Sequence, residues 1–106
     1  MSRRGFKRRY LALKLLGASI NKEAFWSSLI AMYLRLYGEY GLSKANLRLI
    51  EFRKDTAIVS VSHRSLPKLR AALTFMKDIK GEKLLIQVLG VSGTIKKLRA
   101  KFLAEA

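Results

Sequence analysis

Along "RRYLALKLL", Leu11, Leu13 and Leu15 alternate with Tyr10, Ala12 and Lys14, the period of two expected of a half-buried strand. Gly17 ends that run. Asn21 can then cap a helix, with Glu23 near the positive end of its dipole. The apolar pattern carries this helix to about Tyr40, where Gly41 is expected to stop it. "KANLRLIEF" and "TAIVSVSH" read as two strands joined around Arg53, Lys54 and Asp55, a hairpin. "SLPKLRAALTFMKDIKG" predicts a second helix, capped by Ser65, with Pro67 in its first turn and Gly81 at its end. Leu66, Leu69, Leu73 and Met76 form its apolar stripe. "KLLIQVLG" is a fourth strand, and "VSGTIKKLRAKFL" contains a third helix.

The order β-α-β-β-α-β, followed by α, predicts a ferredoxin-like α+β sandwich. Its four-stranded antiparallel sheet would carry helices on one face. RNA-recognition modules share this topology, but topology alone does not assign function. With 106 residues, a single domain is expected. Its parts would be a basic N-terminal segment (1–9), a βαββαβ core (9–90) and a C-terminal basic helix (93–104).

Charge sharpens this picture. Lys and Arg number 22 against 7 acids, a formal net charge of +15. Such an excess repels itself and suits a polyanionic partner. The apolar fraction of 50% is too high for a disordered basic tail. No apolar run approaches the roughly 18 residues of a membrane span, so no membrane partner is expected. The basic-then-apolar opening superficially suits a leader, but Lys14 interrupts it and it contains a core strand. The chain has no cysteine, consistent with a cytoplasmic location.

An RNA-recognition motif stacks bases on aromatics of its first and third strands. The third strand here has none, and Tyr10 and Phe52 are too scattered to make a stacking platform. RNA binding would rest on phosphate contacts and shape. Arg3, Arg4, Lys7, Arg8 and Arg9 form one basic block; Lys96, Lys97, Arg99 and Lys101 form another around the last helix. At ~100° per residue, Ile95, Leu98 and Phe102 share that helix's apolar edge. Arg64 and Lys68 at the second helix join the candidate RNA-binding set. Ser92, Gly93 and Thr94 open the last helix with a small turn that either holds a phosphate or simply caps the helix.

Catalytic chemistry is not legible in the chain. His63 is the only histidine, and the acids Glu23, Glu39, Glu51, Asp55, Asp78, Glu82 and Glu105 show no metal-ligand spacing. Phosphate loops and a nucleophile elbow are missing. No catalytic or metal-binding residue is therefore expected. The first helix is unusual instead. Trp26, Ile30, Tyr33, Tyr37 and Tyr40 make one apolar stripe, and Phe25, Leu29, Met32 and Leu36 make a second beside it. A helix on one sheet face requires only one. Either the core face is wide, or Ile30, Tyr33, Tyr37 and Tyr40 form a protein interface, with Tyr33 and Tyr37 outward and Trp26 and Leu29 in the core.

"GEYGLSKANLRLIEF", "TAIVSVSHRSLPKLRAAL" and "LGVSGTIKKLRAKFL", with "KRRYLALKL" in front, resemble the archaeal ribonuclease P protein component 2 family, related to the eukaryotic Pop-five subunit. The resemblance runs from Lys7 to Leu103, and its last block, Gly-Val-Ser-Gly-Thr-Ile before a basic helix, is the most specific part. It implies a subunit of the endoribonuclease that removes 5′ leaders from precursor tRNA. In that family the large ribonuclease P RNA performs hydrolysis with Mg²⁺, so the chain itself would bind no cofactor. It further implies partnership with component 3 and other ribonuclease P proteins, and indirect contact with precursor tRNA. The surplus apolar surface of the first helix is expected to face component 3; the alternative is a second copy of this chain, a homodimer within the heteromeric complex. A ribosomal or other structural RNA-binding protein, or an RNA-processing enzyme in its own right, are the competing readings.

Overall fold

Leu11, Leu13 and Leu15 fix which way the first strand faces, and the rest of the architecture follows from that choice. The computed structural model describes residues 7–17 and 19–102. Strand β1 (Arg8–Leu16) turns those three leucines to one side of a sheet, where all are buried. Helix α1 (Lys22–Ala45) follows, then the hairpin of β2 (Arg48–Arg53) and β3 (Thr56–Ser62). A 3₁₀ turn (His63–Ser65) leads into α2 (Leu66–Phe75). The short strands β4 (Asp78–Ile79) and β5 (Glu82–Lys83) precede β6 (Leu85–Ser92) and α3 (Ile95–Phe102).

The main sheet has the order β2-β3-β1-β6, with every neighbouring pair antiparallel. This is the ferredoxin-like arrangement expected from the sequence. Helices α1 and α2 cover one face. Phe25, Leu29, Tyr33, Leu69, Ala72 and Leu73 meet the inward residues Ala57, Val59 and Val61 of β3 there. At some 1.5–3 kcal/mol for each large apolar side chain fully buried, this face is the main source of stability.

The opposite face is not open. Ala12 and Ile58 point away from α1 and α2, yet both are buried, because Leu98 of α3 lies on them. Tyr10, Leu89 and Phe102 complete this smaller cluster. Phe52 does not share this face with Tyr10: a bulge between Leu49 and Glu51 shifts the register, and its ring packs on the α1 side, 5.7 Å from that of Phe25.

Two helix ends differ from expectation. Gly41 does not stop α1; Gly38 kinks it with φ 74°, ψ 178°, and the helix resumes to Ala45 with Asn46 as a left-handed cap at φ 50°. Lys44 and Ala45 are thus helical rather than part of β2. The second helix stops at Phe75 instead of running to Gly81. Lys80 and Gly81, both at positive φ, make the tight turn between β4 and β5. The last strand runs two residues past Gly90, to Ser92.

Candidate nucleic-acid interface

The last helix is built to sit on the sheet and show charge outward. Thr94 Oγ1 accepts from the Lys97 amide at 3.2 Å, and Ser92 Oγ accepts from the Thr94 amide at 3.3 Å. Thr94 therefore caps α3, Ser92 closes the turn that precedes it, and Gly93 stays exposed beside the Arg9 guanidinium. Leu98 faces the sheet with no exposure. Lys96, Lys97 and Lys101 are exposed, as the spacing of the apolar edge required.

Arg99 behaves differently. Its guanidinium donates to Glu51 on β2 at 2.6 Å, and the same carboxylate pairs with Arg53 at 3.2 Å. Glu51 is a half-buried acid on the α3 side of the sheet, so it anchors the helix and offsets part of its charge.

The N-terminal block divides in the same way. Arg3 and Arg4 lie outside the described residues. Lys7 is exposed. Arg8 Nε donates to Ser60 Oγ and its terminal nitrogen to the Asn46 carbonyl, both at 2.6 Å. Burial, and secondarily the nearby Arg48, lower the Arg8 pKa from its ordinary value. Arg9 donates to the Arg8 carbonyl at 3.0 Å. Arg8 therefore ties β1 to β3 and to the end of α1, Arg9 bonds only within its own strand, and Lys7 faces solvent.

Arg64 and Lys68 line a groove with Tyr40, Lys44, Ser62 and Ser65. Lys44 is a member that the sequence reading misses, because taking Gly41 as a helix stop assigns it to a strand. The usable signal was spacing: in a continuing helix Tyr40 and Lys44 are four apart and share a face. His63, next to this groove, donates its backbone amide to the Lys7 carbonyl at 2.8 Å. Among the described residues, no three of His, Asp and Glu gather into a group able to hold a metal ion.

The anticipated protein interface requires correction at its centre. Tyr33 has no exposed surface and belongs to the core, since it continues the Phe25–Leu29 stripe at intervals of four. Burial raises its phenol pKa above the ordinary 10.0; Ser65 lies near enough to temper this, but its geometry does not make a hydrogen bond. Its hydroxyl has no hydrogen-bond partner among the described residues. Tyr37 is half-buried, its ring tilted by 56° against that of Tyr33 with centroids 4.7 Å apart, and it donates to the Lys68 carbonyl at 3.2 Å. Leu29 is buried and Trp26 half-buried against the core, as anticipated. Ile30 is half-buried, while Leu34, Leu36 and Tyr40 are the exposed large apolar residues of α1.

Fold and surface together define a small cationic α+β module of ferredoxin-like topology, with its free charge displayed on α3 and around the start of α2. The chain belongs to the Rpp14/Pop5 family, whose model matches residues 9–103. It is 38% identical to ribonuclease P protein component 2 of Pyrococcus furiosus, over 93% of this chain and 85% of that one. Identity to the protein of the same name from Thermococcus gammatolerans is 39% over the same shares. For the Methanosarcina mazei protein of that name it is 30%, over 93% and 86%. In fold, the chain is similar to one in the cryo-EM structure of yeast ribonuclease MRP, with a TM-score of 0.71 and 14% identity. That likeness covers 84% of this chain and 76% of the other.

Proposed function

We propose that this chain is a protein subunit of ribonuclease P, which binds and supports the RNA that removes 5′ leaders from precursor tRNA. The observation that carries the reading is its likeness, over 93% of its length, to proteins named ribonuclease P protein component 2. The geometry supports a binding role through phosphates. Helix α3 covers the sheet face on which an RNA-recognition motif would stack bases, and puts Lys96, Lys97 and Lys101 in solvent above it. Outward lysines contact phosphates without reading sequence, which suits a protein that recognises one large folded RNA by shape.

In this reading the RNA carries the Mg²⁺ and performs the hydrolysis, and the protein chain positions it. A second protein of the particle, the component 3 type, docks on the outward apolar residues Ile30 and Leu34 of α1. Reconstitution tests the proposal. Added with that partner to the catalytic RNA, the chain should raise precursor-tRNA cleavage; alone it should give none. Robust cleavage by the protein in an RNA-free assay would overturn it.

A further inference from the structure

The groove between α1 and α2 differs in kind from the lysine surface of α3. It encloses about 470 Å³, within the ~300–1,000 Å³ typical of sites for small organic groups. Its shape originates in the backbone. The kink at Gly38 redirects the last turns of α1, which then present Tyr40 and Lys44 across from Arg64 and Lys68. Gly41 lies between them, and a Cβ there would stand 2.7 Å from the Cβ of Tyr37. The groove wall therefore has bare backbone at its centre.

Two features indicate what the groove takes. Lys44, Arg64 and Lys68 converge on it, and none has a carboxylate partner among the described residues, whereas Arg53 and Arg99 share Glu51 and Lys14 pairs with Asp55. An anion is the natural counterpart. The second feature is the ring of Tyr40, which at 76% exposure is the most exposed large apolar residue described. The Lys44 ammonium stands 5.4 Å from its centroid, and the Lys68 ammonium stands 5.4 Å from that of Tyr37. Cationic side chains around a solvent-exposed aromatic ring are what unpaired nucleic acid requires, since each base offers a π-face once it leaves a helix. A duplex keeps those faces stacked and would use the charges alone.

We propose that this groove holds an unpaired nucleotide of an RNA, with its base stacked on Tyr40 and its flanking phosphates on Lys44, Arg64 and Lys68. That the polymer is RNA rests on the ribonuclease P reading above; the preference for an unpaired nucleotide rests on the groove itself.

Fluorescence anisotropy of the full chain, with a short single-stranded oligouridylate and a blunt RNA duplex of equal length as probes, tests it. Tyr40→Ala should weaken binding of the single strand by about 5- to 100-fold and leave the duplex unchanged, and Tyr40→Phe should restore it. Replacing Lys44, Arg64 and Lys68 together by Ala should flatten the single-strand plot of log K against log salt by about 2. Thermal melts of each variant verify folding. Single-strand affinity unchanged in Tyr40→Ala would overturn the proposal, and so would equal losses for strand and duplex. Loss of a protein partner with RNA affinity intact would also overturn it, by making the groove a protein-docking surface. Reconstituted cleavage separates the two readings. If the wild-type chain fails to stimulate the catalytic RNA, the subunit assignment fails, while the anisotropy result still decides the nucleotide site.

Discussion

The ring of Phe102 fills the space directly above Gly90, so closely that a Cβ at that position would overlap the ring. The backbone at Gly90 is not left-handed, so the glycine is there for space and not for φ. It lets the last turn of α3 lie on β6. Gly90→Ala should therefore push Phe102 outward, loosen α3 and destabilise the chain by about 1–3 kcal/mol. Urea unfolding would measure this. An unchanged midpoint would mean that α3 is not seated on the sheet in solution.

Glu51 and Arg99 make the polar counterpart of that packing, with opposite consequences for stability and binding. The pair is partly exposed, so Glu51→Gln should cost at most about 1 kcal/mol of stability. It also removes a negative charge and releases Arg53 and Arg99. RNA affinity should rise, and the slope of log K against log salt should steepen by roughly 0.7 to 0.9 for each arginine that gains a phosphate. A fall in affinity would show that Glu51 is needed mainly to hold α3 in place.

Lys96, Lys97 and Lys101 should behave in the reverse way. Each is exposed on α3 and makes no ion pair among the described residues. Replacing all three by Ala should leave the melting temperature nearly unchanged and weaken binding of the ribonuclease P RNA. The salt slope should flatten by roughly 0.7 to 0.9 for each phosphate that a lysine had neutralised. If the slope stays as in the wild type, these lysines form only a solvated face.

The strands of the main sheet and the apolar edge of α3 were legible because each rests on a local period: alternation in β1, or the three-and-four spacing of Ile95, Leu98 and Phe102. What the sequence could not show was tertiary. Gly38 and Gly41 look alike in the chain, yet one kinks the helix and the other packs against Tyr37 within it. Composition cannot tell free from engaged arginines, so it groups Arg8 and Arg99 with lysines that tie no elements together. Which of two adjacent apolar stripes faces the core is similarly undetermined by pattern, since polar residues such as Ser27 and Arg35 are too few to mark the outside. The outward placing of Tyr33 fails for this reason, although its spacing from Phe25 and Leu29 puts it with the core.

Tyr33 supplies the last prediction. Its ring is fully buried, so Tyr33→Ala should cost about 3–5 kcal/mol through the cavity it leaves. Its hydroxyl is buried without a hydrogen bond among the described residues, so Tyr33→Phe removes a desolvated group and keeps the packing. That variant should be as stable as the wild type or more stable, by up to about 1 kcal/mol. The two proteins should also diverge in alkali. Burial raises the phenol's pKa in the folded chain above 10.0. Below pH 10 the phenol is protonated in both folded and unfolded chains, and the difference between the proteins is constant. Above it the unfolded wild type releases its proton first, so the wild type loses stability as pH rises toward the folded pKa. Tyr33→Phe lacks this loss, and its advantage should widen with pH. Urea titrations of both proteins across pH 8 to 11 would show it. A constant difference would mean that the Tyr33 hydroxyl reaches water or a hydrogen-bond partner in solution.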